Sequence, residues 1–184
     1  WRTNVESVWA ARLAASGKSW GTPVTLEPNV GGIIWTISVA ADKTDKAAAI
    51  WSRLGPNVVS SAWFDSAIGS WVEPIEVHRD AGVYSAAIGL SDSGNGITVL
   101  LANANVVFGR RFTPGIDFAE SHIPLSGATA SGQTLFNVSL AMNARGDAVA
   151  VWMRLVGSTG NFLANRFVAT TGAWLGEVSL VGEL

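Results

Sequence analysis

The sequence predicts an all-β fold built from a repeat of about 50 residues, each unit carrying four short antiparallel strands. Three observations lead there. Three 14-residue segments align without gaps: SVAADKTDKAAAIW (38–51), IGLSDSGNGITVLL (88–101) and SLAMNARGDAVAVW (139–152). The large residues that close them, Trp51, Leu101 and Trp152, recur about every 50 residues, and Trp1 holds the same phase. Finally, 48% hydrophobic and only 14% charged residues suit a packed β protein and exclude a disordered chain.

The first hairpin of each unit follows from those segments. Each is an alternating apolar run, a polar turn and a second alternating run, the period-2 pattern of paired strands. Asp42, Asp92 and Asn143 align in the turn; Gly146 stands with Asp45, and Gly94 one position before it. Asp, Asn and Gly supply the side-chain bonds and backbone freedom that turns require.

A second hairpin follows each closing residue. It reads ARLAASGKSWGTPVTL (11–26), WFDSAIGSWVEPIEV (63–77), RRFTPGIDFAESHIPL (110–125) and NRFVATTGAWLGEVSL (165–180). A Gly-containing turn precedes an aromatic at Trp20, Trp71, Phe118 and Trp174. Pro23, Pro74 and Pro124 fall in the strand after it, which marks an edge strand because proline has no N–H to donate.

Numbered within a unit, the strands run 3-4 and then 1-2-3-4 three times, fourteen in all. Four-stranded sheets repeated at this period are the signature of a β-propeller. The expected fold is a partial β-propeller of about three and a half four-stranded antiparallel blades, in one repeat domain. Its parts are a half blade over 1–26 and blades over 27–77, 78–125 and 126–184. A ring closes at roughly four to eight blades, so the expectation is an oligomer or the remainder of a longer chain. The start Trp1-Arg2-Thr3-Asn4 shows no basic and apolar leader, and a processed or truncated N-terminus is expected.

The Asp-turn-Gly hairpin ending in Trp, paired with a Gly-x-Trp-x-x-Pro hairpin, resembles bacterial Asp-box or BNR-like propellers, the sialidase-like repeats. Ser91-Asp92-Ser93-Gly94-Asn95-Gly96 is a loose match to the Asp-box. The resemblance spans nearly the whole chain. It implies a blade type shared with sialidases and secreted carbohydrate-binding proteins, not one activity.

The repeated tryptophans Trp51, Trp152, Trp20, Trp71 and Trp174 are read as scaffold, because recurrence at one phase points to packing between blades. The same argument places Arg12, Arg110 or Arg111, and Arg166 in surface or inter-blade packing, together with Arg53 and Arg154. Asp42 and Asp92 are read as turn residues rather than calcium ligands. Positions that break the repeat are the candidate ligand-binding set: Trp35, His78, Arg79, Asp80, Tyr84 and Phe136, in or beside the loops from strand four to strand one. Trp35 and Phe136 share a phase. Aromatic faces beside mixed polar groups suit sugars, whereas the competing reading packs Trp35 and Phe136 beneath the loops.

No catalytic residues, metal site or cofactor are expected. Tyr84 is the single tyrosine and has no evident carboxylate partner. Glu73 and Glu76 read as exposed, and His78 and His122 stand 44 positions apart, at no metal-ligand spacing. Zero cysteines exclude disulfides and thiol chemistry. A net charge of −2 without a basic block argues against nucleic acid, and no apolar run is long enough to span a bilayer. The expected function is a non-catalytic extracellular or cell-envelope module that binds a glycan or a protein surface through the 4-to-1 and 2-to-3 loop face. The alternatives are a fragment of a glycosidase-like enzyme with catalytic residues on other blades, and a structural half-ring completed by another chain.

Overall fold

The computed structural model describes residues 6–13, 17–79, 82–103, 105–114, 117–118 and 121–180; Trp1 and Asp80 lie outside them. The described residues form four antiparallel sheets and no helix. The first sheet pairs β1 (Glu6–Ala10) with β2 (Val24–Val30). The second contains β3 (Ile33–Ala41), β4 (Ala47–Leu54), β5 (Val58–Asp65), β6 (Ser70–Trp71) and β7 (Ile75–Arg79). The third contains β8 (Val83–Leu90), β9 (Gly96–Ala102), β10 (Val106–Thr113), β11 (Asp117–Phe118) and β12 (Ile123–Pro124). The fourth contains β13 (Gln133–Met142), β14 (Ala148–Val156), β15 (Thr159–Val168), β16 (Ala173–Trp174) and β17 (Val178–Ser179).

In the last three sheets the chain meanders through three long strands, then returns along the third as two short pieces. β6 and β7 both pair with β5, β11 and β12 with β10, and β16 and β17 with β15. Proline accounts for part of this break. Pro74 lies between β6 and β7, and Pro124 ends β12, where an outer strand tolerates a missing donor. One backbone bond recurs beside the break: Gly21 N–H to Arg12 O at 2.7 Å, Val72 N–H to Trp63 O at 2.9 Å, and Leu175 N–H to Arg166 O at 2.9 Å.

The outer-strand aromatics occupy one register position. The pairs are Leu13 with Trp20, Phe64 with Trp71, Phe112 with Phe118, and Phe167 with Trp174. In the last three the rings meet, at 5.9, 5.0 and 5.4 Å between centroids. The first departs from the scaffold reading, because Trp20 faces Leu13 rather than an aromatic and remains 69% exposed. Trp51 and Trp152, by contrast, are 0% and 1% exposed.

The turn of the third sheet begins one residue earlier than the sequence alignment places it. The closing bonds are Asp42 N–H to Lys46 O, Ser91 N–H to Asn95 O, and Asn143 N–H to Asp147 O. Ser91, not Asp92, therefore stands with Asp42 and Asn143. The left-handed position three residues on is then common to all three turns: Asp45 at φ 64°, Gly94 at 81° and Gly146 at 96°. Asp42 Oδ1 accepts from the Thr44 and Lys46 N–H groups, and Asn143 Oδ1 from those of Arg145 and Asp147. Asp92 is released from turn duty. Its N–H donates to Ala144 O at 3.0 Å and its carboxylate pairs with Lys43 at 2.8 Å, so it ties the three turns together.

A one-residue shift reverses which face each side chain occupies. Leu100, rather than Leu101, sits where Trp51 and Trp152 sit: these three face Phe108, Ser60 and Leu163 across the third strand. Successive sheets then pack face to face. Ala48, Ile50 and Val59 of the second lie against Ala86, Ile88 and Leu100 of the third. Ile97, Val99 and Val107 on the other face of the third lie against Val138, Trp152 and Leu163 of the fourth. Full burial of such side chains stabilises by about 1.5–3 kcal/mol each.

Arginines join these junctions on their outer side. Arg110 donates to Val77 O at 2.6 Å, Arg12 lies 4.0 Å over the Phe64 ring, and Arg111 lies 5.8 Å from the Phe167 centroid. Arg53 pairs with Glu27 of the first sheet at 3.2 Å, whereas Arg154 pairs with Glu177 within the fourth sheet at 2.8 Å.

Candidate functional site

The first strands β3, β8 and β13 lie side by side. Ala86 N–H donates to Thr36 Oγ1 at 3.2 Å, and Val138 N–H donates to Ser85 Oγ at 3.1 Å. With the corrected register, Thr36 and Ser85 hold equivalent positions, and so does Asn137. A cavity of about 370 Å³ runs along these strands, lined in part by Thr36, Ser38, Ser85, Asn137 and Ser139. Hydroxyls and one amide supply both donors and acceptors there.

Each first strand is also bulged near its start. The ladder slips between Ile34 and Thr36, between Val83 and Ser85, and between Phe136 and Ser139. Trp35 and Tyr84 are the extra residues at the first two slips, and Phe136 opens the third. A bulge re-aims side chains that a regular strand would turn inward. Trp35 is 55% exposed, Tyr84 41% and Phe136 36%. Sequence alignment put Trp35 and Phe136 in phase and left Tyr84 one position out. The corrected register brings all three into phase, one aromatic per unit.

Glycine permits this geometry. Gly32, Gly82 and Gly132 precede the three first strands at φ 107°, 99° and 81°. A Cβ on Gly82 would lie 3.0 Å from the Tyr84 ring, so the absence of a side chain lets that ring fold back over the backbone.

The remaining candidates separate from the aromatic set. Arg79 is engaged with Glu76 through two hydrogen bonds, which lowers the Glu76 carboxyl below its ordinary value. His78 turns toward the third sheet. There its ring meets that of His122 at 5.0 Å, and Phe108 lies 5.7 and 5.1 Å from the two. The outer strands of neighbouring sheets bring them together, although 44 positions separate them in the chain. Among the described residues, no group of three His, Cys, Asp or Glu could hold a metal.

Burial holds the His122 imidazole below its ordinary value of 6.5, and Arg110 and His78 add to the effect. The unfolded chain therefore takes up this proton first. Acidification through 6.5 towards the depressed folded value should lower stability, and above 6.5 the contribution should be flat. Chemical denaturation between pH 7.5 and 5 checks this. His122→Phe should flatten the profile over that range.

A larger cavity of about 530 Å³ lies between the outer strands of the third and fourth sheets. Its polar groups already serve the scaffold. Asn165 bonds Leu125 O and Gly176 N–H, and Glu177 holds Arg154.

No protein-family model matches the chain, and no curated protein matches it. A crystal structure of a protein of unknown function from Dyadobacter fermentans DSM 18053 has a similar fold. Its TM-score is 0.65 at 12% identity, and the match covers 99% of this chain and 61% of that one. The chain thus spans less than two thirds of that neighbour's length. At this identity the likeness concerns the fold alone. No helix among the described residues is long and apolar enough to cross a membrane.

Proposed function

We propose that the chain is a partial β-propeller of the Asp-box or BNR-like type that acts as a non-catalytic glycan-binding module, extracellular or in the cell envelope. The observation that carries this reading is the set Trp35, Tyr84 and Phe136. Three consecutive units each present a solvent-exposed aromatic at one repeat phase, in the bulge for Trp35 and Tyr84 and just before it for Phe136, 55%, 41% and 36% exposed. Exposed large aromatics repeated on one end of a rigid scaffold serve recognition better than stability. Sugar CH groups stack on such rings, and Asn137 and Ser139 in the adjoining groove offer partners for hydroxyls. A glycan, rather than a charged ligand, suits this chemistry because Arg79 is neutralised by Glu76.

A glycan array, followed by calorimetry on the hits, tests the proposal. Trp35→Ala should weaken binding about tenfold, equivalent to about 1.4 kcal/mol. The same change should leave stability within about 0.5 kcal/mol, as for other exposed positions. An array blank for the chain would overturn the reading, and so would affinity that ignores both Trp35→Ala and Tyr84→Ala.

A further inference from the structure

The sheet-to-sheet junctions repeat one arrangement. The leading sheet offers a hydroxyl on its first strand and apolar side chains on its second. The following sheet offers alternate apolar residues of its first strand, together with their backbone N–H groups. At one junction Ala86 and Ile88 lie against Ala48 and Ile50, and their N–H groups donate to Thr36 Oγ1 and Ser38 Oγ at 3.2 and 3.3 Å. At the next, Val138 lies against Ala87 and Val99 and donates to Ser85 Oγ at 3.1 Å.

Ile37 and Val39 hold the same two positions on β3, yet they are 60% and 66% exposed. The first sheet explains this. Val8 and Leu26 cover Trp51 and Ala62, the outer part of the face. β1 and β2 correspond to the third and fourth strands of a unit, and β1 pairs only with β2 among the described strands. Nothing described supplies the first and second strands that cover the equivalent residues of β8 and β13. At the other end of the chain, Val149 and Phe162 stand where Ile97 and Val107 are buried in the third sheet. They are 40% and 52% exposed, so they form the leading half of the same junction.

We propose that the bare face of β3 is the docking surface for a β-hairpin of this same repeat, supplied by a further unit of the same polypeptide. Its second strand pairs with the open edge of β1. Its first strand lies over Ile37 and Val39 and presents Ser or Thr hydroxyls to their N–H groups. A complete sheet does not fit, because β1 and β2 already hold the outer half of the face. A source in the same polypeptide agrees with the Dyadobacter structure, in which this fold occupies 61% of a longer chain. The inference rests on the repeat geometry and is independent of glycan binding.

The test fuses residues 31–55, the chain's own first hairpin from the second sheet with both hydroxyls, Thr36 and Ser38, ahead of Glu6. Amide hydrogen exchange at Ile37 and Val39 should slow by about tenfold or more relative to the unfused chain. Val39→Lys should lower the melting temperature of the fusion and leave that of the unfused chain unchanged. Equal exchange of these amides in the two proteins would overturn the proposal. Protection in the unfused chain that rises with protein concentration would overturn it too, since a second copy would then be the occupant.

Discussion

Trp51→Ala should destabilise the protein by about 3–5 kcal/mol, the range for deleting a buried tryptophan. The side chain is 0% exposed and packs with Val8, Leu26 and Ala62, so its loss opens the junction between the first two sheets. Its indole N–H also donates to Glu27 Oε2 at 2.6 Å, and Glu27 pairs with Arg53 at 3.2 Å. Truncation removes a donor from a partly buried carboxylate as well as leaving a void. For a chain of this size the melting temperature should fall by roughly 6–20 °C. Trp152 offers an internal control. It is equally buried, but its Nε1 has no hydrogen-bond partner among the described residues. Trp51→Phe should therefore cost more than Trp152→Phe, by about 1.5–3 kcal/mol for a hydrogen bond to a charged group. Urea denaturation of the two Phe variants checks the difference. Equal losses would mean that the Glu27 bond contributes nothing.

Gly32→Ala should cost about 2–5 kcal/mol, from backbone strain and overpacking together. Gly32 sits at φ 107°, a region essentially closed to residues with a Cβ. A Cβ there would lie 2.0 Å from Leu54 O and 2.8 Å from Pro56 Cδ. The first of these atoms is backbone, so no rotamer change relieves the contact; the start of β3 must move. Trp35 lies three residues on, at the bulge, so its ring should move with the strand. Calorimetric melting reads the stability loss, and the emission maximum of Trp35 in a background lacking the other exposed tryptophans reads the displacement. Gly132→Ala provides the contrast. Its φ is 81°, but a Cβ would meet nothing within 4 Å, so only the strain component should appear.

Both results depend on features with different visibility in the sequence. The burial of Trp51 and Trp152 is legible there. A tryptophan that recurs at one phase of a repeat has to fit the same interior slot each time. The alternating strands, the two hairpins per unit and the edge prolines are legible for a similar reason: each is a pattern among residues close in the chain. The strain at Gly32 is not, because Leu54 meets it only after β3 and β4 pair.

What the sequence by itself determined was the all-β class, the repeat length, the strand order within a unit and the buried tryptophans. All of these follow from local alternation and turn chemistry, which neighbouring residues encode. The tertiary structure decided the register of the third turn, where Ser91 rather than Asp92 closes the hairpin. An Asp two residues before Gly94 looks like the turn residue in sequence. Only pairing of β8 with β9, and the pull of Lys43 on Asp92, separates the two choices. That single step placed Tyr84 in phase with Trp35 and Phe136. Packing between sheets likewise decided that His78 and His122 meet, that Trp20 stays exposed, and that Ile37 and Val39 face solvent. Side-chain environment across a junction is set by which strands arrive opposite, and no pattern within one strand carries that information.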